Sequence, residues 1–143
     1  MASGVGVNSA CLEEFTNLKL RKKTDNGEIL KYIVYNLNKD NTEIVVEKTS
    51  ASGDYEEFLG DLPEGECRWA VYDFEFQKEG GIRNKLCFFM WSPDKAKIKQ
   101  KMLFASSKDA LRRALVGIAV EVQGTDIDEV AYESVLEKAS KGN

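Results

Sequence analysis

The sequence predicts a mixed α/β (α+β) protein, with a central mixed five-stranded sheet sandwiched by helices on both faces. Three observations carry this. Cys87-Phe88-Phe89-Met90-Trp91 is apolar without interruption, the pattern of a strand covered on both sides. β-type segments come in pairs separated by helix-type segments, in the order α β β α β β α(α) β α. No repeat or linker-like stretch divides the 143 residues, so one domain over 1–143 is expected, with 1–7 as a flexible N-terminal arm.

Each element has a local reason. Asn8 and Ser9 cap a first helix whose apolar residues Cys11, Leu12, Phe15 and Leu18 recur at spacings of three and four. Arg21 to Gly27 is polar and reads as a loop around a turn. Ile29 to Leu37 and Glu43 to Glu47 are rich in strand formers and flank Asn38-Lys39-Asp40-Asn41, which gives a hairpin. Asp54 to Leu59 reads as a short helix ended by Gly60 and the Pro63 turn. Cys67 to Phe76 and Lys85 to Trp91 are two further strands linked at Gly80-Gly81. Ser92-Pro93-Asp94 signals a helix start, and helical composition runs from Lys95 to about Leu115, with Ser106 offering a second cap. Val116 to Val122 is the last strand and Gly124 ends it. Thr125 or Asp126 then caps a final helix that turns Ile127, Val130, Ala131 and Val135 inward.

Composition removes several chemistries. There is no histidine, so a Ser-His-Asp triad, a Cys-His dyad and histidine metal sites are excluded. The three cysteines, Cys11, Cys67 and Cys87, form no CxxC pair, and they read as reduced thilos of a cytosolic protein rather than metal ligands. Neither GxxxxGK[ST], GxGxxG nor GxSxG occurs. The adjacent carboxylates Glu13-Glu14, Glu56-Glu57 and Asp128-Glu129 sit in N-terminal halves of expected helices, where they favour the helix dipole. No catalytic residue, metal or cofactor is nominated, and an enzyme is not expected. The N-terminus lacks a secretion signal, Ala2 stands where myristoylation needs glycine, and no apolar run reaches the ~20 residues of a membrane span.

Charge is distributed unevenly. The net charge is −4, which argues against a nucleic-acid partner. Yet Lys95 to Arg113 holds seven cations (Lys95, Lys97, Lys99, Lys101, Lys108, Arg112 and Arg113) against Asp109 alone, a local +6. Like charges at i,i+4 disfavour a helix slightly, and no acid nearby in sequence offsets them. Two readings stay open on these residues. The lysines form a solvated face while Ile98, Met102 and Leu103 pack on the sheet, or the helix docks onto an acidic protein surface or anionic lipid headgroups.

Ile98-Lys99-Gln100-Lys101-Met102-Leu103-Phe104-Ala105-Ser106-Ser107-Lys108-Asp109-Ala110-Leu111, preceded by Trp91-Ser92-Pro93-Asp94, closely resembles the signature of the actin-depolymerising factor/cofilin family. The resemblance extends over essentially the whole chain: Ser3-Gly4, Phe15-x-x-Leu18-Lys19-Leu20, Ile44-Val45-Val46, Leu62-Pro63, Tyr72-Asp73-Phe74 and Val122-Gln123-Gly124-Thr125-Asp126. It implies an ADF-homology, gelsolin-like fold and a monomeric protein that binds actin monomers and filaments, severs filaments and promotes their depolymerisation. A surface shared by monomer and filament binding is implied at Ser3, Gly4, Ile98, Lys99, Lys101 and Met102. A filament-specific surface is implied at Arg83, Lys85, Glu137, Lys138 and Lys141.

Ser3 matches the family's regulatory phosphorylation site, where added negative charge would oppose docking on acidic actin. Phosphoinositide headgroups are implied partners at Lys97, Lys99, Lys101, Lys108, Arg112 and Arg113, and other actin-turnover factors are further implied partners. The alternatives are a coactosin-like or glia-maturation-factor-like relative, or a phosphoinositide-binding membrane-surface protein. Three departures stand out. Lys97 replaces a usual proline, adding charge and removing a helix irregularity. About six extra residues lie around Thr24 to Leu30. Arg21-Lys22-Lys23 is a poor substitute for the compact basic nuclear signal of some members, so the cytoplasm and its actin cytoskeleton are the expected location.

Overall fold

A computed structural model describes residues 4–141. Its centre is a six-stranded sheet in the order β1-β3-β2-β4-β5-β6, formed by β1 (Gly6–Val7), β2 (Tyr32–Leu37), β3 (Glu43–Ser50), β4 (Arg68–Lys78), β5 (Gly81–Trp91) and β6 (Val120–Gly124). The two outer pairings, β1 with β3 and β5 with β6, are parallel and the inner ones antiparallel, so the sheet is mixed as expected. The sixth strand is β1. It pairs Gly6 with Glu43 and Val7 with Ile44, and Val5 before it is buried, so these three residues are packed on the fold where a flexible arm is expected. Two residues are too short for an alternating pattern to register in sequence.

Helices cover both faces, as the continuous apolar strands require. Helices α1 (Ser9–Lys19) and α3 (Ile98–Ala114) close one face. There Cys11, Phe15, Leu18, Phe104 and Leu111 pack over Ile33, Tyr35, Trp69, Val71 and Phe88. Helices α2 (Tyr55–Gly60) and α4 (Tyr132–Ser140) close the other, where Tyr55, Phe58, Val135 and Ala139 meet Tyr32, Tyr72, Phe74 and Phe89. Asn8 and Asp54 cap α1 and α2 by accepting from the backbone N–H groups of Ala10 and Glu56. Leu12, counted on the inner stripe of α1 from spacing, is 43% exposed.

Several boundaries differ from expectation for identifiable reasons. The β4–β5 hairpin is longer because Glu79 and Gly80, at φ 53° and 79°, make a two-residue turn whose twist suits long strands. Its polar tip extends beyond the helices, leaving Ile82 exposed, so no apolar alternation marked it. Strand β2 starts at Tyr32 rather than Ile29, because Thr24 to Glu28 form a tight turn closed by a bridge between Lys23 and Ile29. That turn lies in the stretch read as a loop, and its closing bridge takes Ile29 out of the strand.

Pro93 begins only a turn, with Ala96 N–H donating to the Pro93 carbonyl, and α3 starts at Ile98 and runs to Ala114 without a break at Ser106-Ser107. Lys97 sits before the helix with φ −65° and ψ 142°, a conformation a proline also adopts. Lysine at this position therefore adds charge but leaves the helix ladder unchanged. Val116 to Ala119 form a loop through Gly117 at φ 115°, which delays β6 to Val120. Asp126 caps a single 3-10 turn, Ile127–Val130, and α4 follows separately. Ile127 is 48% exposed and not inward. Gly124 ends β6 because a Cβ there would lie 2.5 Å from Val130 and 3.3 Å from the Trp91 ring. Among the described residues no helix is long and apolar enough to cross a membrane.

Candidate functional site

Helix α3 separates its side chains sharply. Phe104, Ser107 and Leu111 are buried, and Phe104 stacks on Trp69 at 4.2 Å between ring centroids. Ile98 and Met102, four residues apart and so on one side of the helix, are 75% and 67% exposed. The reading in which both pack on the sheet is thereby corrected; only Leu103 of that trio packs against the core. Ile98 and Met102 form an apolar pair on the surface beside Lys97, Lys99 and Lys101. Lys97 and Lys99 are exposed, and Lys101 is half-buried with its ammonium donating to the Asp94 carbonyl at 3.3 Å.

A groove of about 690 Å³ runs along this end of α3, lined by Lys97, Lys99, Gln100, Met102, Leu103 and Ser106. Its far wall is Asn41, in left-handed conformation at φ 58° in the β2–β3 turn. Asn38 holds that turn by accepting from the N–H groups of Thr42 and Glu43. Gly6 N–H donates to the Thr42 carbonyl, so the same turn anchors β1 beside α3. Gly4, exposed at φ 71°, lies two residues before β1. Ser3 lies outside the described residues. Neither Asn41 nor Gln100 was marked by sequence. Gln100 accepts from the Cys67 N–H at 3.0 Å, which ties the first turn of α3 to the start of β4.

Three of the remaining cations of the basic segment do have acidic partners. Lys108 and Arg112 both bind Glu121 on β6, at 3.3 and 2.8 Å, and Lys95 binds Glu64 at 2.9 Å. The expectation that no acid relieves this segment fails because β6 and the α2–β4 loop deliver acids across the fold. Among the described residues, what stays uncompensated by carboxylates is Lys97, Lys99 and Lys101 beside the apolar pair, together with Arg113, which donates to the Asp109 carbonyl. The positive field is therefore concentrated at the start of α3.

The filament-side candidates also fall on one face. Arg83 and Lys85 stand opposite Phe76 and Phe74, whose side chains join the α4 side of the core, so both cations lie on that side. Lys78 near the hairpin tip donates to the Ser140 carbonyl at 2.6 Å, which fastens the hairpin to the end of α4, where Glu137, Lys138 and Lys141 lie exposed. Arg83 and Lys141 make only long, exposed pairs, to Glu79 at 3.9 Å and to Glu137 at 3.7 Å. Such pairs contribute little and leave the charges available. No thiol is poised for chemistry: burial pushes Cys11 up to about 11 and Cys87 up to about 12, and it raises Cys67 as well.

Comparison with known proteins decides what this arrangement belongs to. The family model described as cofilin/tropomyosin-type actin-binding protein matches residues 4–140. The chain belongs to that family. The cofilin of Mycosarcoma maydis is 60% identical over 142 residues, covering 99% of this chain and 98% of that one. The cofilin of Schizosaccharomyces pombe is 55% identical, covering 97% of each. Among solved structures, a crystal structure reported as Streptomyces griseoflavus cofilin superposes with a TM-score of 0.89 at 63% identity, over 98% of this chain and all of that one.

In this cofilin-family chain the Glu121 bridge fixes the far end of α3 to the sheet. Burial pushes the Glu121 carboxyl up, but the hydrogen bonds from Arg112 and Lys108 outweigh it and hold the group below its ordinary value of 4.5. A lowered folded-state value means the contribution is present above pH 4.5 and is lost as pH falls through the folded-state value. The expected result is that stability falls on acidification below pH 4.5 more steeply in the parent than in Glu121→Gln, read by urea midpoints across pH 3–7.

Proposed function

We propose that this protein acts as a cofilin: it binds actin monomers and filaments, severs filaments and promotes their disassembly. It does so as a monomer in the cytoplasm, on the actin cytoskeleton, by docking without covalent chemistry. The observation that carries the reading is the exposed pair Ile98 and Met102 within Lys97, Lys99 and Lys101. Single exposed apolar residues are ordinary, but an adjacent apolar pair rimmed by charge is the pattern of an interaction surface. An apolar anchor with a cationic rim suits a partner surface that is apolar at its centre and acidic around it.

Arg83, Lys85, Glu137, Lys138 and Lys141 form the second, filament-specific surface in this reading. Engagement of both surfaces on neighbouring subunits would strain the filament, which accounts for severing. The presence of both favours a cofilin over a coactosin-like or glia-maturation-factor-like activity. Phosphorylation at Ser3 would add about −1.5 to −2 charges next to the docking face and oppose binding. Phosphoinositides compete for Lys97, Lys99, Lys101 and Arg113. Lys108 and Arg112 contribute less to lipid binding, because a headgroup must displace Glu121 from them. Arg21 is held by the buried Asp73 carboxylate at 3.0 Å, so Arg21-Lys22-Lys23 makes a weak nuclear signal.

The test is a comparison of two variants with purified actin. Lys99→Ala with Lys101→Ala is expected to weaken monomer binding at least tenfold, most strongly at low salt, as loss of rim charges does. Arg83→Ala with Lys85→Ala should keep monomer binding while filament co-sedimentation and severing in imaging assays decline. Unchanged filament and monomer binding in the first variant would refute the reading. Equal loss of monomer binding in both would refute the division into two surfaces.

A further inference from the structure

We infer that the core beneath α3 binds one ordered water molecule, shared by the Tyr35 hydroxyl, the Trp69 indole N–H and the Ser107 hydroxyl. These three residues are fully buried, and their polar atoms have no hydrogen-bond partner among the described residues. Buried polar groups in folded proteins are satisfied almost without exception, and each one that is not calls for a bound partner.

Their placement points to one shared partner. Tyr35 on β2 stands directly opposite Trp69 on β4, so both side chains project from the same face and are cross-strand neighbours. The Trp69 ring stacks on Phe104 of α3, and Ser107 follows Phe104 by three residues, one turn on along the same buried side of the helix. All three therefore belong to one layer between the sheet centre and α3. The hydrogen-bonding inventory also fits. The indole can only donate, and the two hydroxyls donate and accept. A water accepts from the indole and from one hydroxyl, and donates to the other. An ion suits this set less well: the indole can only donate, which disfavours a cation, and the Glu14 carboxylate acts on the Tyr35 hydroxyl, which disfavours an anion. A chain of this length is expected to hold about five buried waters, so one here is ordinary in number. The specific content is its position: it would fasten the middle of α3 to the sheet, on the side opposite Ile98 and Met102. The inference is independent of the actin reading.

The test is a crystal structure of the full chain at about 1.2–1.5 Å, together with a double-mutant cycle on Tyr35→Phe and Ser107→Ala. A density peak within about 3.2 Å of at least two of the three polar atoms is expected. Each single variant should lower the thermal midpoint by about 3–6 °C, and the double variant should lose less than the sum. A map without that peak, or with the side chains bonded directly to one another, overturns the proposal. So does a rise in midpoint on either substitution, the result for a hydroxyl with no partner at all. Strictly additive losses overturn it too, since two groups on one water must be coupled.

Discussion

Replacing Ile98 and Met102 together by alanine is expected to weaken binding to actin monomers by about 100-fold or more, with the thermal midpoint within about 2 °C of the parent. The binding loss follows from their place at the centre of the cationic patch. Central apolar anchors of an interface each cost about 2 kcal/mol or more on truncation, whereas rim charges cost less. The unchanged stability follows from their exposure, 75% and 67%, because substitutions away from core contacts fall within about 0.5 kcal/mol each. Fluorescence titration of labelled actin monomers and a thermal melt measure the two quantities. A clear fall in midpoint would show that these side chains pack in solution, and preserved binding would remove α3 from the docking surface.

Phe104→Ala, two residues further along the same helix, is expected to do the opposite. It should cost about 3–5 kcal/mol of folding stability, the range for deleting a buried aromatic ring. Phe104 is 1% exposed and stacks on Trp69, so its loss opens a cavity against a rigid indole that cannot collapse into it. Urea unfolding followed by far-UV circular dichroism measures the change. At a temperature where the variant remains folded, its actin affinity should stay within a few-fold of the parent, since the proposed docking side chains Ile98 and Met102 lie on the other face. A stability loss under 1 kcal/mol would mean that the ring is not a core contact.

The contrast between Met102 and Phe104 shows where sequence reasoning works and where it stops. The helix itself, its lysine surplus and its family signature are written in consecutive residues. Which of its apolar residues turn inward is not, because Ile98, Met102, Leu103 and Phe104 are all apolar and helical spacing allows more than one inward stripe. Trp69 settles the matter for Phe104 by presenting a flat surface on which its ring stacks. Charge behaves in the same way. Seven cations were visible in one segment, but the pairing of Lys108 and Arg112 with Glu121 depends on β6 lying parallel to β5. The polar β4–β5 tip and the two-residue β1 were missed for a related reason. They are strands by virtue of their partners' hydrogen bonds, not of an apolar alternation.

The sequence by itself determined the α/β class, the helices on both faces, the cap at Asn8, the basic segment and the family resemblance. These rest on interactions within a few residues, such as capping, periodicity and turn chemistry, which a linear chain displays directly. Tertiary structure alone decided that Ile98 and Met102 face outward, that three lysines keep no carboxylate among the described residues, and that the β4–β5 hairpin is fastened to the end of α4. Exposure and charge compensation depend on which distant segments pack alongside, and those contacts exist only once the sheet has assembled.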